Sequence, residues 1–187
     1  HAIGDGGAEM ALTAFQRAQE RCPWLHPRHG LVHCQVMTAE QLRRMKALEV
    51  SALVQPVFLN SDMHIAPARL GEARLTGAYA WGSMAAQGIP LAFGTDCPVE
   101  PFRPLDGIYC AVTRRDFQGR GPFLPGEAVT IGQALYAYTA GSAYAAGEEH
   151  RKGQLRPGML ADFEVLDRNL LTIPPETLRE ARVLRTY

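Results

Sequence analysis

What the chain lacks narrows its chemistry first. Among its 187 residues there is no C-x-x-C pair, no His-x-His, no net charge and no long apolar run. The four cysteines, Cys22, Cys34, Cys97 and Cys110, are scattered. That excludes a cysteine zinc knuckle, argues against a disulfide framework, and fits a reducing, cytoplasmic setting. Lys+Arg and Asp+Glu are 19 each, so no basic face of the kind that neutralises phosphates is implied, which weighs against nucleic-acid binding. No apolar run approaches the roughly 18 residues a membrane helix needs, so no membrane span is expected. No secretory leader is recognised, although the first residue is His1 rather than Met and "HAIGD" reads as the end of something. No internal repeat or low-complexity stretch stands out.

What is present is a 47% apolar composition, suited to a packed core, arranged as short strands alternating with amphipathic helices. A helix is expected over 8–20, with Met10, Ala14, Phe15 and Ala18 as its inward face and Pro23 as its stop; Asp5 is read as its N-cap. A strand follows at 30–37. Thr38 and Gln41 form a capping box opening a helix over 39–48, with Leu42, Met45 and Leu48 on one face. The nearly all-apolar 50–56 reads as a buried parallel strand. A loop over 57–77, a helix over 78–87 ended by Gly88, and a strand in "IPLAFG" come next. Strand-helix-strand order implies parallel strands with right-handed crossovers.

Beyond Asp96 the spacing predicts a helix over 105–115 and a polar loop. A second capping box, Thr130 with Gln133, opens one small-residue helix running to about 147 that must pack closely. Residues 152–167 read as a hairpin turning at Pro157-Gly158, with a strand over 162–166, and 181–187 as a last strand.

The chemistry lies in a spacing. His1, His33 and Asp96 each sit at the C-terminal end of an expected strand, 32 and then 63 positions apart. An eight-stranded (β/α)8 barrel uses about 31 residues per strand-helix unit, so the gaps are one unit and two. All strand ends of a parallel barrel open on one rim, where these side chains would converge. Two imidazoles and a carboxylate suit zinc or a similar divalent metal. Asp96 is placed to bind metal and to handle a proton. A lone histidine at a strand end is more often structural; it is the repeated spacing that favours ligation.

Several segments together carry a family resemblance: "HAIGD", "VHCQ", "VQP…SD", "AYAW", "GTDCPVEP", "AVTRRD" and "KGQLRPGMLADFEVLD". In this order they resemble the third amidohydrolase family, with its N-substituted formamide deformylase-like enzymes. The resemblance implies the second half of a (β/α)8 barrel, strands five to eight, over 1–150, and a share of a small β-sandwich over 151–187. It implies metal-dependent hydrolysis of a C–N bond, amide or N-formyl, with one or two ions, most readily zinc. His1 resembles the strand-five ligand, His33 the strand-six ligand, and Asp96 the strand-eight aspartate.

The His-x-His of strand one has no counterpart here; Val32 stands where an acid is frequent and Phe58 where a histidine is. Four strands cannot close an eight-stranded barrel, so the sheet edges call for the N-terminal half or a second copy of the chain as partner. A catalytically incomplete pairing module and a deaminase are the rival readings.

Candidates for contact with a small-molecule substrate are Asp62, His64 and Arg74 in or near the loop after "VQP", with Arg69 beside them. Each has a plainer alternative: Asp62 with Ser61 as a loop cap, His64 as a surface histidine, the arginines as solvated charge. His26, His29 and His150 read as solvated. Cys34 and Cys97 follow candidate ligands, but alternation along a strand turns Cys34 away from His33. Tyr79 and Trp81 are expected to begin a helix and pack inward, and the Tyr136, Tyr138 and Tyr144 group to be structural.

Overall fold

The computed structural model describes every residue except Trp24 and His26, so the expectation for His26 lies outside the described residues. The chain is a mixed α/β fold around a parallel sheet. Strands β1 (Gly30–Val32), β2 (Ser51–Val54) and β3 (Leu91–Phe93) lie in the order β1-β2-β3, with Leu31 opposite Ala52 and Leu53 opposite Ala92. Ala2 adds a parallel bridge to His33, donating to the Val32 carbonyl and accepting from Cys34 N–H, both at 3.0 Å. All three strands are short; β2 and β3 are buried on both faces, as their Val, Leu, Ala and Phe content requires, while β1 buries Leu31 and leaves Gly30 exposed.

Helix α1 (Asp5–Arg21) fills the connection from Ala2 to β1. It corrects the sequence reading twice. Its N-cap is Gly4, without a side-chain bond, and Asp5 occupies the first turn, where its carboxylate accepts from Gly6 N–H at 3.0 Å. Its inward face is Ala8 and Leu12, flanked by Ala11 and Phe15. Met10 stands 77% exposed, and Ala14 and Ala18 are exposed too. Both stripes have helical spacing and share Phe15; the surface that the helix packs against, not the count of apolar residues, decides which turns inward. Helix α2 (Ala39–Ala47) has the expected capping box, with Leu42 and Met45 buried.

The crossover from β2 to β3 is not the loop expected over 57–77. After a 3-10 turn at Pro56–Phe58 come α3 (Leu59–Asp62) and α4 (Ala66–Leu75), kinked at Gly71 where φ is +70°. Ala78 then forms an isolated antiparallel bridge with Val36, flanked by Met37 N–H donating to Gly77 O and Tyr79 N–H to Gln35 O, and Tyr79 turns at φ +52°, so α5 (Trp81–Ala86) starts later than expected. Gly88, at φ +67°, ends it as expected.

Helix α6 (Pro104–Thr113) packs on the 3-10 turn after β2 and on a second one at Pro175–Glu180. Arg179 pins that C-terminal segment in place: its Nε donates to Asp106 at 2.9 Å and its guanidinium covers the Phe117 ring. The expected single helix after the second capping box is two, α7 (Ile131–Tyr138) and α8 (Ala140–Ala145). The break is at Thr139, whose ψ of −92° is non-helical and whose hydroxyl donates to Leu135 O at 2.7 Å. Both pack on β3. Gly141 lies directly against the Leu91 carbonyl, the close approach that small residues permit.

The hairpin expectation is corrected as well. The Pro157-Gly158 turn forms, with Met159 N–H donating to Arg156 O and Gly158 at φ +90°. Its first arm is not a strand, however. β4 (Glu164–Leu166) pairs instead with β5 (Val183–Thr186), antiparallel, Glu164 opposite Thr186. The expectation for 181–187 is thereby met.

Candidate functional site

Parallel strands bring their C-terminal ends to one side of a sheet, and the residues leaving those ends are the candidate site. Residue 33 follows β1, residue 55 follows β2 and residues 94–96 follow β3. At His33 the backbone turns to φ +80° and at Asp96 to +57°, a left-handed conformation that costs a side-chain-bearing residue on the order of 1 kcal/mol or more. Such strain persists where surroundings over-determine it. For His33 they do: its N–H donates to Leu53 O at 2.8 Å and the residue is 8% exposed.

The two expected histidine ligands meet. His1 Nδ1 lies 3.1 Å from His33 Nε2, with ring centroids 5.1 Å apart. Two donors on one tetrahedral zinc, each at about 2.0–2.1 Å, sit about 3.3 Å apart. The nitrogen pair therefore fits a shared metal ion. The other nitrogen of His33, Nδ1, is 2.9 Å from Gln55 Oε1, while Gln55 Nε2 donates to Leu53 O at 3.3 Å. Phe58 lies against the His33 ring at 6.3 Å and 22°. The position where the resemblance leads one to look for a histidine thus supplies an apolar wall.

Asp96 follows the buried Thr95 and is exposed; its carbonyl accepts from Val99 N–H at 2.8 Å. The structure does not gather its carboxylate with the histidine pair. Among the described residues, no three His, Cys, Asp or Glu side chains converge on one metal position.

The three substrate-contact candidates are placed differently from one another. Asp62 is half-buried and held in a network: its Oδ2 accepts from Tyr79 OH at 2.7 Å and from Gln35 Nε2 at 2.8 Å. Burial first, then the Asp62 charge, pushes the Tyr79 phenol well above its usual range. His64, its side chain 38% exposed, has Nε2 3.0 Å from Asp116, a wholly buried carboxylate. Asp116 also accepts from Arg120 Nε at 2.5 Å and from the Gln118 and Arg120 backbone. Burial opposes ionisation there, but the bonds from Arg120 and Gln118 prevail and hold its carboxyl below the ordinary aspartate value. Arg74 is exposed and donates to Leu70 O of its own helix; Arg69 is exposed.

Three contributors escape the sequence reading: Gln35, Gln55 and Arg114. The glutamines were visible as polar interruptions in "VHCQ" and "VQP", apolar runs where a polar side chain must find a partner. Arg114 is 0% exposed, donating to Tyr79 O at 3.0 Å and Phe123 O at 2.9 Å, with its guanidinium 4.5 Å over Trp81. Burial pushes its pKa down to about 10. Trp81 and Tyr79 pack inward as expected, though only Trp81 lies in the helix.

Cys34 is a buried thiol donating to Leu31 O, the plain role expected for it, but not through alternation: β1 ends at Val32 instead of running to residue 37, and Cys34 lies beyond it at φ +49°. Tyr138 is half-buried against the core, whereas Tyr136 is 57% exposed and Tyr144 lies under Arg28. His150 is exposed as read. His29 is not solvated: it stacks on Phe15 at 4.3 Å and 7°.

A parallel sheet with paired histidines at its strand mouths defines the class, and comparison with known proteins agrees. The chain belongs to the amidohydrolase family, matching it over residues 1–187. It is 35% identical to YtcJ of Bacillus subtilis (strain 168) over all of this chain and 35% of that protein. It is 36% identical to the N-substituted formamide deformylase of Arthrobacter pascens, over 56% of this chain and 19% of that one. A metal-dependent hydrolase from Pyrococcus horikoshii OT3 superposes with a TM-score of 0.80 at 31% identity, over 94% of this chain and 34% of that chain. The chain thus spans about a third of the length of YtcJ and of the Pyrococcus hydrolase.

Proposed function

We propose that these residues form the second half of a (β/α)8 hydrolase barrel, strands five to eight, over 1–150, with 151–187 its share of a small β-sandwich. The reaction is hydrolysis of a C–N bond, of an amide or N-formyl group, in a small molecule. The observation that carries this is the His1–His33 nitrogen pair, 3.1 Å apart at the mouths of parallel strands. Support comes from membership of the amidohydrolase family and from likeness to metal-dependent hydrolases.

In this reading His1 and His33 hold a divalent metal, zinc by its donor chemistry, and Asp96 joins them when the remaining donors are supplied from outside these 187 residues. When bound, the metal supplies a Lewis acid and lowers the pKa of a coordinated water. Asp96 takes the proton of the attacking water and returns it to the departing nitrogen. The exposed Asp96 carboxylate is free to move in that role. Asp62 and His64 line the approach for substrate, each steadied by its neighbours, and Arg74 stands further out on the same crossover.

The test is made on the protein carrying this chain in full. Its zinc content is measured, amide and N-formyl compounds are screened, and Asp96→Asn is compared with the parent. A loss of about a hundredfold or more in kcat, with unchanged thermal unfolding, is expected from removing a general acid-base. Parent-like turnover in Asp96→Asn would sink the assignment.

A further inference from the structure

We infer that Gln55 is a positioning residue that locks His33 in its Nδ1–H tautomer, and so keeps the Nε2 lone pair aimed at His1 and the shared ligand position. The amide of Gln55 has one orientation that satisfies its surroundings. Its NH2 group donates to Leu53 O at 3.3 Å, which leaves Oε1 against His33 Nδ1 at 2.9 Å. The flipped amide would set oxygen against the Leu53 carbonyl and NH2 against the ring. A carbonyl oxygen only accepts, so Nδ1 must carry the proton, and in the neutral ring Nε2 then has the lone pair.

The lock is buried and anchored to the strand itself. Gln55 and His33 are each 8% exposed, so water competes little for either group. Leu53 O, in β2, accepts from both the His33 backbone N–H at 2.8 Å and the Gln55 side chain. One carbonyl therefore fixes the His33 main chain and the residue that reads its ring. Phe58, whose N–H donates to Gln55 O at 3.1 Å, walls the ring. Together these contacts explain how a histidine at φ +80° keeps one ring orientation. Outer partners of this kind raise ligand basicity and fix ring direction, and their loss typically lowers metal affinity ten- to a hundredfold.

The consequence for metal rests on the reading of His33 as a ligand; the tautomer does not. Nitrogen-15 NMR of the imidazoles in the intact protein, without and with added zinc, reads the tautomer directly. Zinc affinity is measured beside it for Gln55→Leu and Gln55→Glu. The parent should show a protonated Nδ1 on His33. Gln55→Leu, similar in shape but without an acceptor, should lose that form and bind zinc ten- to a hundredfold more weakly. Gln55→Glu keeps an acceptor against Nδ1 and should retain that form, although its second oxygen gives up the bond to Leu53 O and lowers stability. A parent protonated at Nε2, or a Gln55→Leu protein with unchanged tautomer, overturns the inference even if the hydrolase reading stands. A protein that binds no zinc yet changes tautomer in Gln55→Leu upholds the lock and sinks the hydrolase reading.

Discussion

Arg114 offers the sharpest test of what holds the rim together. It is wholly buried, and its charge has no carboxylate within ion-pair distance among the described residues. It acts through geometry: Nε serves Phe123 O at 2.9 Å, Nη1 serves Tyr79 O at 3.0 Å, and the plane stacks on Trp81. In Arg114→Met, Phe123 O loses its donor, about 1–3 kcal/mol. Tyr79 O loses less, because Trp81 N–H still reaches it at 2.9 Å. Loss of the desolvated stacking adds about 2 kcal/mol.

Against this, Met removes a buried cation whose desolvation cost is itself several kcal/mol. The net expectation is a loss of about 2 kcal/mol, a fall in Tm of about 4–8 °C for a chain of this size. Arg114→Lys should be worse than Met, since it keeps the buried charge while giving up the planar fork. Thermal unfolding followed by circular dichroism ranks the three proteins. If Lys matches the parent, or Met is the least stable, then charge rather than fork geometry holds these loops and the reasoning fails.

Two further outcomes follow from burial. Cys110 is fully buried, and that burial pushes its thiol up to about 12 from an unfolded value of 9.0, as burial likewise raises Tyr138. The native state therefore keeps a proton that the unfolded chain loses above pH 9. The stability from this burial is complete below pH 9 and drains away as pH climbs towards 12. Tm measured from pH 8 to 10.5 should decline, less steeply in Cys110→Ala; equal slopes would refute the link. A thiol reagent at neutral pH should label the exposed Cys97 rapidly and reach buried Cys34 and Cys110 only after denaturation. Gly141→Ala would set a methyl group against the Leu91 carbonyl, with Tyr136 O at 3.2 Å. β3 or α8 must then shift, costing about 1–3 kcal/mol, and urea unfolding would show a lower midpoint. An unchanged midpoint would mean the α8–β3 contact is looser than described.

Much of this architecture was legible because local patterns carry it. The two Thr-x-x-Gln boxes marked helix starts that formed where expected, since such a cap involves only residues three apart. All-apolar runs marked buried parallel strands, and the repeat of one strand-helix unit brought His1 beside His33 before any contact was known. Other choices are made by tertiary packing. Which stripe of α1 faces inward depends on what α2 and the sheet present to it, and Leu12 wins over Met10. β4 finds β5, about twenty residues away, instead of the arm beyond its own turn, because hydrogen bonding to a strand is indifferent to distance along the chain. His33 lies 22 positions from Gln55, and Tyr79 lies 17 from Asp62 and 35 from Arg114. A sequence shows that a buried polar group needs a partner, but only the folded chain brings that partner to it.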